Sequence, residues 1–113
     1  MNKQKTPIIE VKAHGVEVDA NDATRVRAHI ARALRPFSAH IRSVIVRLTD
    51  LNGPRGGDAD LECRIVVDGI FPPVVVSERA GSAGAAIDVA ADRVSRAVAR
   101  VIGRHRTQMR RFG

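Results

Sequence analysis

Arg93, Arg96, Arg100 and Arg104 recur at intervals of three, four and four residues. On an α-helix that spacing aligns four guanidinium groups in one stripe, about 16 Å long at 1.5 Å of rise per residue. A guanidinium is always charged, and its planar fork of donors matches a phosphate group bidentately. A rigid row of them can track a polynucleotide backbone. The competing reading is a solvated helix face, against which stands the absence of any acid after Asp92. A weaker set comes earlier in the chain: Arg25, His29 and Arg32 fall on one helical stripe, and Arg27 and Arg35 on the next. Arg55 stands in the run Asp50-Leu51-Asn52-Gly53-Pro54-Arg55-Gly56-Gly57-Asp58, whose glycines permit close backbone approach to a ligand. A plain hairpin loop is the alternative there.

Other chemistries find little support. His14, His29, His40 and His105 are scattered, without metal-ligand spacing. Asp58 and Asp60 have no second acidic cluster to complete a cation site. The glycine-rich run lacks the GxxxxGK spacing and following helix of a P-loop. Cys63 alternates with apolar residues and reads as a small core residue. No nucleophile–base–orienter set is visible, so no enzyme activity, cofactor or small-molecule substrate is expected.

The bulk numbers agree with a polyanion partner. The net charge is +7, and 16 of the 19 basic residues are Arg. Residues 89–113 hold seven arginines against Asp92 alone, which concentrates most of the excess charge at one end. A solubilising charge is the bland alternative. Aromatics make up 3% of the chain, with no Trp or Tyr. The core must therefore be aliphatic, and a single-strand reader built on stacked aromatics is disfavoured. A lone cysteine and the lack of a secretory or membrane-spanning segment point to a reducing, cytoplasmic setting.

The elements that would hold these residues are legible from periodicity. Ile8 to Ala13 reads as a strand with Pro7 at its entry. Asp19-Ala20-Asn21-Asp22 reads as a helix start, and Ala23, Val26, Ile30, Leu34 and Phe37 as the apolar face of that helix. Pro36 is expected to end it near Arg35. Ile41 to Leu48 and Leu61 to Val67 alternate apolar and polar residues, the mark of a sheet with one covered and one wet face. Asp68-Gly69 reads as a turn, followed by a short strand at Val74 to Ser77. Ser82 is the expected cap of a helix to about Arg104, with Ala83, Ala86, Ile87, Ala90, Val94, Ala97, Val98, Val101 and Ile102 as its apolar stripe. His105 to Gly113 shows no apolar periodicity and is expected to be a frayed basic tail.

The expected fold class is therefore α+β, in the order β-α-β-β-β-α: a four-stranded mixed sheet with two helices on one face. One domain is expected over residues 1–106, with residues 107–113 as a flexible tail. Side-by-side packing of the two helices would unite their arginines in one basic groove.

Two segments carry a family resemblance. The run from Leu48 through the glycine-rich loop to Cys63-Arg64-Ile65 resembles the ribosome-associated inhibitor and hibernation-promoting factor family. So do Ala85-Ala86-Ile87-Asp88 and Ala90-Ala91-Asp92-Arg93-Val94, with basic residues following. The resemblance implies a domain similar in shape to double-stranded RNA-binding domains. It also implies binding to the small ribosomal subunit in the channel used by mRNA and tRNA, and silencing of idle ribosomes under stress. On that reading Arg25, Arg32, Arg35, Arg55, Arg93, Arg96, Arg100 and Arg104 contact rRNA, and translation is blocked by occlusion. The chain departs from the family pattern at Ser82-Ala83-Gly84, where many members carry an aromatic, and in having Arg or apolar residues such as Val98 in place of Lys. It ends at Gly113, without the further domain of long members, so ribosome dimerisation by that domain is not expected.

Two other functions compete: a general structured-RNA binder, and a protein-interaction module using the open sheet face around Ile45, Arg64 and Val66. The chain is expected to be a monomer, with a homodimer through that open face as the alternative.

Overall fold

The structure, a computed structural model, describes residues 7–52 and 60–112. The chain runs β1 (Ile8–His14), α1 (Ala20–Ala33), a 3-10 segment (Arg35–His40), β2 (Ile41–Asp50), β3 (Leu61–Gly69), β4 (Val74–Ala80) and α2 (Ala83–Phe112). The strands form one sheet in the order β1-β2-β3-β4. β1 pairs parallel to β2, and the other neighbours are antiparallel. The expected α+β fold is what the chain adopts.

Alternation within the strands dictates the layering. Val11, Val46, Ile65 and Val76 stand opposite one another across all four strands and face the helices. Ile9, Val44, Val67 and Val74 form the parallel row beside them. Ile30 of α1, and Ala86, Ala90, Val94 and Val98 of α2, are fully buried against this surface. Alanines at two of these α2 positions let that helix lie close to the β3–β4 half, which it covers, while α1 lies over β1. No polar or charged residue is buried among those described.

Both helices begin on side-chain caps. Asp19 Oδ1 accepts a hydrogen bond from the Asp22 amide at 2.8 Å. Ser82 Oγ accepts one from the Ala85 amide at 3.2 Å. Each cap satisfies an N–H that the helix itself leaves free.

One local expectation is refined and two are corrected. α1 ends at Ala33, and Pro36 falls in the first turn of a 3-10 segment that carries the chain into β2. A proline lacks the amide that an opening turn would leave free anyway. Asp68-Gly69 is not a turn but the end of β3. There the backbone where the 3-10 segment joins β2 passes so close that a Cβ on Gly69 would lie 2.2 Å from the His40 carbonyl oxygen. Finally, α2 does not stop near Arg104 but continues to Phe112, with Thr107 Oγ1 donating to the Gly103 carbonyl at 3.0 Å. Gln, Met and Arg all favour the helix, and cations suit its C-terminal end.

Candidate nucleic-acid interface

All four arginines of the α2 row are exposed, but they differ in what surrounds them. Arg93 donates to Glu78 Oε2 on β4. Arg96 donates to Asp92 Oδ2, one turn earlier on the same helix. Arg100 and Arg104 have no ion-pair partner among the described residues. The free positive charge therefore lies in the C-terminal half of the row. Arg104 also borders a shallow hollow with Val101 and His105, closed on its other side by Phe71, Pro72 and Pro73 of the β3–β4 turn.

Arg25 and Arg32 are exposed on α1, flanking His29. His29 Nε2 lies 3.5 Å from Asp88 Oδ1 of α2, a contact open to solvent and worth little in stability. It fixes which flanks of the helices face each other. Asp88 looks toward α1. Arg93, five residues on and about 140° round the helix, looks toward β4. Asp88 therefore stands on the α1 side of α2 and Arg93 on the β4 side. Arg35 is exposed in the 3-10 segment, beside a hollow floored by Ile9, Leu34 and Val44. Arg55 lies outside the described residues.

A hollow of about 350 Å³ opens between the first turns of the two helices. Its floor is apolar, from Val26, Leu48 and Ile87, and Asp22, Arg25, His29 and Asp88 ring its mouth. Beyond the helices, the opposite face of the sheet is uncovered and carries Lys12, Arg47 and Arg64, all exposed. Sequence reasoning placed Arg47 and Arg64 on that face but did not group them with Lys12. The grouping needs the strand order and register, although a cation at an outward position of each strand was a readable hint.

No group of three or more His, Cys, Asp or Glu that could hold a metal occurs among the described residues. Cys63 is fully buried, and its thiol is pushed up to about 12 by burial and, secondarily, by the charge of Glu62. It is a neutral core group near pH 7, not a nucleophile. Arg79 is held charged still more firmly by its hydrogen bond to Asp60 and by that carboxylate's charge. Among the described residues no helix is long and apolar enough to cross a membrane.

The fold recurs in solved structures. The N-terminal domain of Protein Y from Thermus thermophilus superposes with a TM-score of 0.67 at 24% identity, over 84% of this chain and 98% of that one. A ribosomal subunit interface protein from Coxiella burnetii superposes with a TM-score of 0.68 at 9% identity, over 81% of this chain and 93% of that one. No family model matches the chain, and no curated protein matches it in sequence.

Proposed function

We propose that this protein is a ribosome-associated translation inhibitor of the hibernation type, acting in the cytoplasm without enzyme activity. Residues 1–106 form its binding domain. The observation that carries this reading is an exposed arginine row on a fold shared, over four fifths of the chain, with a protein described as a ribosomal subunit interface protein.

In this mechanism Arg100 and Arg104 make the first phosphate contacts on small-subunit rRNA, because they surrender no partner on binding. Arg93 and Arg96 must exchange Glu78 and Asp92 for phosphate, so their net contribution is smaller. Arg25, Arg32 and Arg35 form a second contact strip, and Arg55 is a further rRNA contact in this proposal. The body of the domain then fills the mRNA and tRNA channel and excludes both.

The test is co-sedimentation with 30S subunits and 70S ribosomes at low and moderate salt. Saturable, near-stoichiometric binding is expected, weakening with salt as counterions are released. Arg100→Glu with Arg104→Glu should weaken it far more than charge reversal at Arg93 and Arg96. Equal loss from both pairs would sink the proposed division of labour. Equal affinity for ribosomes and for any duplex RNA would favour a general RNA binder instead.

A further inference from the structure

We infer that the open face of the sheet is a second RNA-contacting surface, built on a row of cations that runs across the strands. Lys12 of β1 stands opposite Arg47 of β2, and Arg47 stands opposite Arg64 of β3; Ser77 of β4 completes the row. Neighbouring strands lie about 4.8 Å apart, so three cations sit within roughly 10 Å. Like charges directly opposite one another destabilise a sheet. None of the three makes an ion pair or side-chain hydrogen bond among the described residues.

The rows on either side show that this is not the general habit of the sheet. One step along the strands, Glu62 stands opposite Arg79, and Arg79 also pairs with Asp60. One step the other way, Ile45, Val66 and Val75 form an apolar row, with Glu10 at its β1 end. Glu10 and Glu62 are the acids nearest the cation row in register, and each lies diagonal to it rather than opposite. A row that breaks the local rule without compensation in the folded chain marks a site where an external group completes it.

The missing group is anionic and repeating. A phosphodiester strand supplies it, with phosphates along the cation row and ribose and base surfaces on the apolar row, about 7 Å away along the strands. An acidic peptide would satisfy the cations but would leave the apolar row uncovered. This face points away from both helices. RNA held here is additional to RNA held by α2, and the domain would grip RNA from two sides.

The discriminating variant is Arg47→Glu in the full chain. It places a carboxylate between two cations, so it should melt at or above the wild-type temperature; loss of binding cannot then be ascribed to unfolding. The probes are a fluorescent single-stranded 12-mer of uridine, a poly-glutamate peptide and 70S ribosomes. We expect at least tenfold weaker binding of the oligonucleotide and a flatter salt dependence, with Arg47→Gln intermediate. Unchanged oligonucleotide binding, or a wild-type preference for poly-glutamate, would overturn the inference. The paired variant Arg100→Glu/Arg104→Glu separates the two surfaces. If it spares ribosome binding while Arg47→Glu removes it, the α2 mechanism fails and this one stands. The reverse pattern, with oligonucleotide binding intact in Arg47→Glu, removes the sheet site alone.

Discussion

Arg64 and Ile65 are neighbours on β3, yet they belong to two surfaces governed by different physics. Ile65 lies in the row Val11, Val46, Ile65, Val76, where every member is apolar and packed under the helices. Arg64 lies one residue away in the row Lys12, Arg47, Arg64, Ser77, open to solvent and self-repelling. On the covered face, packing chooses the residues, so their identity reports stability. On the open face packing chooses nothing, so a costly arrangement there reports something other than stability. The same contrast recurs along α2, where the buried stripe is continuous but the four arginines of the row divide into two that are ion-paired and two without an ion-pair partner among the described residues.

The contrast can be broken or sharpened by measurement. Ile65→Ala should have the largest effect, a loss of about 2–5 kcal/mol from transfer and cavity terms, read from urea unfolding. A loss below 1 kcal/mol would show that the covered face is looser than described. Cys63 tests the same face by pH. Its folded-state thiol is raised from 9.0 to about 12, so the folded state holds a proton that the unfolded chain has released. That stabilisation is complete below pH 9 and is lost as pH rises toward 12. Cys63→Ala should remove this alkaline component, and an unchanged alkaline profile would refute it. Arg64→Thr should leave stability unchanged or raise it by up to about 1 kcal/mol, since a like-charge opposition is relieved. A clear loss would mean that Arg64 has a structural role. Asp92→Ala should have the smallest effect on the fold, about 0.3–0.5 kcal/mol for an exposed helical pair. It should nonetheless tighten ribosome binding, because it frees Arg96. Weaker binding would show that Asp92 orients Arg96 for contact.

Much of the fold was legible because its signals are local. The alternation through Val44, Val46 and Leu48, the caps Asp19 and Ser82, and the aliphatic stripe of α2 each lie within one element. What escaped depends on partners far apart in sequence. Glu78 and Arg93 meet only because β4 lies beside α2, so the loss of free charge at Arg93 has no local signature. His29 and Asp88 face each other across the two helices, a contact that no local pattern announces. Gly69 looks like turn chemistry beside Asp68; its actual constraint, the nearby His40 carbonyl, comes from the end of the 3-10 segment, far earlier in the chain. The end of α2 was misplaced for a different reason. Its last residues lack an apolar stripe, yet their intrinsic preference carries the helix on without one.

The parallel pairing of β1 with β2 bears on how the chain assembles. Strands β2, β3 and β4 pair with neighbours in sequence, and Asp50 and Leu61 already stand opposite each other at the first hairpin. Ile8 must find Ser43 across all of α1. Closing that longer loop costs more chain entropy before any contact repays it. The hypothesis is that β1 docks last and opens first, leaving the β2 edge briefly available to a foreign strand. Hydrogen exchange under native conditions would show it as weaker protection in Ile9 and Val11 than in Ile65 and Val67. Equal protection across the sheet would mean that the four strands form as one cooperative unit.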